Sequence, residues 1–228
     1  MLILAVDTSS RQCSMALLRD EEVVAATGGV SDEPYASRLF ADLNVVMGQA
    51  RAELAQIELF AVATGPGSFT GLRVGLAAVK GWSEVFDRPI APVSVLEAIA
   101  VQAGPSGRLV APVMDARGGH LYGGVFRRDG TDGRLQAIGE EVVLSHEEYF
   151  GWVAGLVGGE EPLFVTTTPG VVKAGLEASR FAGAALEEVS GELAPFLGRL
   201  GLERSRRGEV VDSLALEENG ALLNQHLV

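Results

Sequence analysis

Two stretches of this 228-residue chain are built alike. The chain opens LILAVDTSSRQCSMALLRDEE, and LVAPVMDARGGHLYGGVFRRDG begins at Leu109. Each has an apolar strand that ends in an aspartate, Asp7 or Asp115. Each then has a small polar turn and a returning strand, CSMALL or LYGGVF, closed by Arg19-Asp20 or Arg128-Asp129. A repeat at about half the chain length restricts the fold to two copies of one α/β unit.

Periodicity fills in the first copy. LILAV, CSMALL and EEVVAAT read as strands around short polar breaks. SDEP starts a helix, with Ser31 or Asp32 as cap and Pro34 in the first turn, that runs to about Glu53. Leu39, Leu43, Val46, Met47 and Ala50 recur along it at helical spacing. IELFAVA is a strand, Thr70 to about Phe86 a helix, PIAPVSV a strand and LEAIAVQAG a short helix. GPSG at Gly104–Gly107 is the natural boundary. Beyond it QAIGEEVVL and PLFVTTT read as strands, and HEEYFGWVAGLV, Val171–Ser179 and Glu192–Arg204 as helices. The tail from Glu209 is ambiguous, with a helical stretch near Gly220–Leu227.

Chemistry can be narrowed by motif. The run GPGSFTGLRVG, Gly65–Gly75, joins a strand to a helix as a phosphate-binding turn does. No lysine follows Gly71, so it is not a Walker A loop. The spacing Gly65, Gly67, Gly71 is not a dinucleotide fingerprint either. A loose anion site at the helix start stays open. Gly71, Gly75 and Ala78 share one helix face, and helix-interior glycine costs about 1 kcal/mol relative to alanine. A close neighbour should offset that, either the first helix of the same unit or a helix of another chain. Asp7, Thr8 and Ser9 could hold Mg²⁺ and phosphate, or cap their own turn. Asp115 and Arg117 lack a hydroxyl beside them and read as a structural pair.

Histidines His120, His146 and His226 show no metal-ligand spacing, and Ser68 is not in G-x-S-x-G. No metal site and no catalytic residue is marked. The net charge of −12, with Lys80 and Lys173 the only lysines, argues against direct nucleic-acid binding. Arg199, Arg204, Arg206 and Arg207 form the one basic cluster, a solvated helix end or a nucleic-acid patch. Single Cys13, the lack of a basic leader and short apolar runs fit a cytoplasmic protein without membrane attachment.

Two tandem β-β-β-α-β-α units, each with an aspartate ending its first strand, resemble the actin, Hsp70 and sugar-kinase superfamily. The expected class is α/β, a duplicated actin-like (ASKHA, RNase H-like) fold with mixed sheets. Residues 1–104 would form the N-terminal unit and 105–228 the C-terminal one, with room for the C-terminal segment to pack back on the first. With ILAVDTS, GPGSFTGLRVG and VMDARGGHLY together, the chain resembles the TsaB (YeaZ) family of tRNA threonylcarbamoyladenosine biosynthesis proteins. The match is strong over 1–104 and thins beyond Phe126.

That resemblance implies a subunit that is not itself the catalyst. In the family, a TsaD-like paralogue holds the metal through a histidine pair and transfers the threonylcarbamoyl group. A TsaE-like ATPase joins at their junction, tRNA is met through the complex, and the protein alone forms a homodimer. No cofactor is bound tightly, and ATP or ADP belongs at the complex junction if anywhere. The pairing surface falls on the first two helices, here Leu39, Leu43, Phe69, Gly71, Arg73, Gly75 and Ala78. Gly75→Leu is then expected to break pairing and leave the monomer folded. Asp7, Thr8, Ser9, Asp115 and Arg117 become a degenerate nucleotide cleft. The chain departs from the family at Tyr35-Ala36, where a His-Ser or His-Thr pair is usual, at TTTPG (Thr166–Gly170), and at LALEENGALL, which lacks a Tyr-x-Arg run. The alternatives are an autonomous ATP-dependent or glycoprotease-like enzyme, and a drifted homodimeric module.

Overall fold

The computed structural model describes residues 1–104, 109–129 and 134–216. The tail helix expected at Gly220–Leu227, most of the GPSG boundary and LALEENGALL from Glu217 onward lie outside the described residues.

The first unit opens with three antiparallel strands, β1 (Leu2–Asp7), β2 (Gln12–Arg19) and β3 (Glu22–Val30). Helix α1 (Tyr35–Ala50) follows, then β4 (Leu59–Ala63), α2 (Phe69–Phe86) and β5 (Ile90–Val93). β4 and β5 run parallel to β1, giving the sheet order β3-β2-β1-β4-β5. Every residue of β1 and β4 is buried, as central strands covered on both faces require. α1 is not capped by Ser31 or Asp32: Pro34 holds the N-cap position, and Ser31 Oγ accepts the Glu33 N–H instead. Arg38 and Asp42 stabilise the helix as a mostly buried pair one turn apart, 2.8 Å between Nε and Oδ2.

Alternation along the strands assigns the two faces. Leu4, Val6, Met15, Leu17, Phe60 and Val62 join Leu39, Leu43 and Val46 of α1 and Val79 of α2 in one core. The other face carries small residues, among them Ala5, Ala16, Ala61 and Ala91, all buried. A helix from far along the chain covers it.

After α3 (Val95–Ala100) the second unit repeats the plan. Its strands are β6 (Leu109–Arg117), β7 (His120–Gly123), β8 (Phe126–Arg128), β9 (Leu135–Ala137) and β10 (Val142–Ser145). Then come α4 (His146–Val157), β11 (Leu163–Thr166), α5 (Pro169–Glu177) and β12 (Leu186–Glu188). The order β10-β7-β6-β11-β12 matches that of the first sheet, with β8 and β9 added beside β6. Two expected single strands are each split. LYGGVF breaks at Gly124 because Pro112 of β6 has no N–H to continue the ladder, and Gly124 donates to the Pro112 carbonyl at 3.2 Å. QAIGEEVVL breaks at Gly139, whose φ is +84°, so β9 pairs with β8 and β10 with β7. The core here is separate and aromatic: Phe164 meets Phe150 and Phe181 at 5.6 and 5.2 Å, and Phe150 meets Tyr149 at 5.3 Å.

The boundary is not at Gly104. The compact units are Met1–Ala98 with Glu192–Val228, and Ile99–Gly191. The reason is α6 (Ala194–Arg206), which packs on β1, β2, β4 and β5 of the first sheet. Gly198 lies on Leu18 and Gly201 on Ala61 and Ala91, so small residues on both sides allow close approach. Among the described residues no helix is long and apolar enough to cross a membrane. A Cβ on Gly201 would stand 2.8 Å from the Ala61 Cβ, so overpacking there cannot be relieved by a flexible side chain. Gly201→Leu is expected to lower stability by about 1–3 kcal/mol in urea titration, against little change for Gly155→Ser, an exposed helical site where a Cβ meets nothing within 4 Å.

Candidate functional site

At the carboxyl end of β1 the chain turns through Thr8, Ser9 and Ser10 into β2. Asp7 Oδ1 accepts the Ser9 N–H at 2.9 Å. The second unit does the same: Asp115 Oδ1 accepts the Arg117 N–H at 2.7 Å. Both aspartates therefore cap their own turns. Asp115 and Arg117 meet through the main chain; among the described residues no ion pair joins their side chains. Arg117 has φ +65°, and the main-chain N–H of Asp115 donates to Thr168 Oγ1 at 3.3 Å.

The glycine run is fitted to the first of these turns. Gly65 has φ +114°, a conformation that L side chains rarely adopt, and its carbonyl accepts the Val95 N–H at 2.8 Å. Ser68 N–H donates to the Ser9 carbonyl at 2.6 Å, and a Cβ on Gly67 would overlap that carbonyl. Ser68 Oγ caps α2 by accepting the Gly71 N–H at 3.3 Å. Thr8 sits in the notch that follows. Its hydroxyl donates to the Gly71 carbonyl at 2.8 Å. A Cβ on Gly71 would overlap the Thr8 carbonyl oxygen, and one on Gly75 would overlap the Thr8 hydroxyl. The Tyr35 ring closes the other side of Gly71.

This corrects the pairing-surface expectation. Gly71 and Gly75 are buried against Thr8, and Leu39 and Leu43 are buried in the core, so none of the four faces outward. Ala78 packs against the same core. Phe69, 58% exposed, and Arg73 stay outside, with the guanidinium 5.0 Å from the ring centroid. Phe40, 55% exposed, is outside the expected set, and Tyr35, expected only as a departure from the family, packs against Gly71. Phe40 was signalled by being apolar yet outside the Leu39, Leu43, Val46, Met47 stripe.

Part of the turn's donor set is already engaged. The N–H groups of Ser68, Gly71 and Leu72 are engaged within the chain, and Thr8 Oγ1 has spent its proton on Gly71. Asp7 is 1% exposed; burial pushes its carboxyl up to about 6, against the lowering effect of its bonds with Ser9. Its Oδ2 is buried with no hydrogen-bond partner. Cys13 is no better placed for chemistry: burial, with the Asp7 charge adding to it, pushes the thiol up to about 11. The thiol donates to the Ser10 carbonyl at 3.2 Å. His120 Nδ1 lies 3.0 Å from the Gly118 carbonyl, His146 begins α4, and His226 is outside the described residues. No group of three metal-ligating side chains gathers among the described residues. The basic cluster is a paired helix end: Arg204 with Glu97, Arg206 with Glu21 at 3.0 Å, Arg207 with Glu209 at 2.7 Å, and Arg199 on the Glu21 carbonyl.

Two outcomes follow from the notch and the buried carboxylate. Gly75→Leu is expected to destabilise the monomer itself, by about 3 kcal/mol or more, in a urea titration. A folded monomer of wild-type stability would remove the notch from the account. For Asp7 the folded pKa lies above the unfolded one, so the folded state holds the proton more tightly. Its contribution is complete at low pH and is lost as pH rises through about 6. Asp7→Asn should gain on the wild type by about 1 kcal/mol between pH 5 and pH 8, read from paired urea titrations. A constant difference across that range would count against the buried, ionising carboxylate.

A family model described as "TsaD: tRNA N6-adenosine threonylcarbamoyltransferase" matches residues 13–160. The "tRNA threonylcarbamoyladenosine biosynthesis protein TsaB" of Bacillus subtilis is 32% identical over 127 residues, 56% of this chain and 56% of that protein. The chain thus spans about half the length of this curated relative in the match. The solved structure "YeaZ from Pseudomonas aeruginosa" has a TM-score of 0.80 at 28% identity, covering 94% of this chain and 97% of that one. Component A of the (R)-2-hydroxyglutaryl-CoA dehydratase of Acidaminococcus fermentans has a TM-score of 0.53 at 10% identity, over 90% of this chain and 99% of that one. That likeness concerns the fold alone, an α/β actin-like ATPase fold with two mixed sheets. The chain belongs to the TsaB (YeaZ) family of tRNA threonylcarbamoyladenosine biosynthesis proteins, within the wider TsaD family whose model it matches.

Proposed function

We propose that this chain is a non-catalytic partner of a TsaD-like transferase in forming threonylcarbamoyladenosine on tRNA. The observation that carries the reading is the outer side of α1 and α2. Phe40 and Val45 of α1 and Phe69 and Val85 of α2 are exposed, and Arg73 lies over Phe69. Aromatic and arginine side chains left outside a filled core are what interface centres are made from. The inner faces of both helices are already used, by the sheet and by Thr8. What is left to bind a partner is therefore the opposite side. The same side would take a second copy when no partner is present. A TsaE-like ATPase would join at the junction with the transferase, any ATP or ADP would sit there, and tRNA would be met through the assembled complex. The closed turn at Asp7–Ser9 supports a supporting role over autonomous phosphate chemistry.

Phe69→Asp combined with Arg73→Glu is expected to weaken association with a TsaD-like transferase by at least about tenfold in size-exclusion and calorimetric titration. Because both side chains are exposed, the circular dichroism melt should not move. Undiminished pairing would place the contact elsewhere, and turnover of ATP·Mg²⁺ by the chain alone would overturn the non-catalytic reading.

A further inference from the structure

The second unit begins and ends in mid-chain, at Ile99 and Gly191, so the polypeptide passes its border twice. Within the unit the two passages are fastened to each other. Gln102 Nε2 donates to the Ser190 carbonyl at 3.1 Å, and the Ser190 N–H donates back to Gln102 Oε1 at 3.1 Å. One side-chain amide thus satisfies both main-chain groups of a residue 88 positions away. Arg128 of β8 holds the first passage from another direction. Its Nη2 donates to the carbonyls of Ala100, Val101 and Ala103 at 3.1, 2.9 and 3.3 Å, at and just beyond the end of α3, where the Ala100 carbonyl also accepts the Ala103 N–H at 3.1 Å. The second passage is anchored by the Val189 N–H, which donates to the Thr166 carbonyl at 3.0 Å and so extends the pairing of β12 with β11.

The apolar cores divide in the same way. One contains residues of the first unit only, Leu216 included, and the other runs from Leu109 to Phe181. We propose that the second unit is a latched insertion: Gln102 and Arg128 close its neck, so that Ile99–Gly191 opens and recloses as its own cooperative unit while the core of the first unit stays formed. Neighbouring chain ends and a private core are the conditions under which one domain is tolerated inside another. Units of this kind open separately in native-state exchange.

The test is native-state hydrogen exchange on the full chain, with Gln102→Ala against the wild type. Gln102 makes its bonds at an exposed site, so the variant folds. Losing the reciprocal pair should speed exchange of the β6 and β11 amides, remote from Gln102 but in the same unit, by about 3–10-fold, the range expected for surface hydrogen bonds. Amides of β1 and β4 should keep their wild-type rates. Wild-type exchange in β6 and β11, even with a faster Ser190 amide, would show that the latch holds no unit closed. Equal acceleration in β1 and β4 would show that the chain opens as one unit. Either result overturns the proposal.

Discussion

The seat of Thr8 in the groove of α2 fixes much else in the first unit. A helix can lie this close to a strand end only where its own side chains are missing, and Gly71 and Gly75 supply the two gaps. The hydroxyl bond to the Gly71 carbonyl then takes up a helical oxygen and a buried side chain at once. With α2 held there, Val79 and the rest of its inner side reach the sheet, and Phe69 and Arg73 are turned outward. The glycine run is therefore an internal joint. Its resemblance to a phosphate turn comes from a shared need, the close approach of another group to a helix start, which here is met by the chain's own backbone.

How far the sequence could be read depends on what each pattern records. The runs LILAV, CSMALL and IELFAVA report burial on both faces, and they fold as the central strands. The paired aspartates report two equivalent turns, and both form. Glycines at 71 and 75 report that something lies close, without saying whether it is a helix or a strand end. Leu39 and Leu43 report an apolar side, and burial in a monomer leaves the same trace as burial under a partner. A return of the C-terminal segment to the first unit was legible as a possibility, but not which helix makes it, because a helix on a sheet of alanines needs little apolar area of its own. Gly198 and Gly201 were the only local sign of it. The splitting of LYGGVF followed from Pro112, whose missing N–H matters only once its neighbour strands are known.

The buried Asp7 carboxylate is the least economical feature of the first unit. One oxygen is bonded, the other is not, and the group is desolvated. Asp115, in the matching place, is half-buried and keeps its ordinary turn bond. The two copies of one turn have thus been placed in different dielectric surroundings. That difference arises from packing: Thr8 and Ser9 are buried beside Asp7, while Arg117 and Gly118 leave the second turn open to water.

The return of α6 to the first sheet also sets an order of assembly during synthesis. A ribosome delivers the five strands and two helices of the first unit early, yet the alanine face of that sheet has no cover until residues 194–206 emerge. All of Ile99–Gly191 is made in the interval, with its complete set of core residues already available. The nascent first unit is accordingly a one-sided sheet for much of translation, and the later unit is the first that can close. A chain halted before Ala194 would carry a finished second unit and a first one whose Ala61 and Ala91 face water.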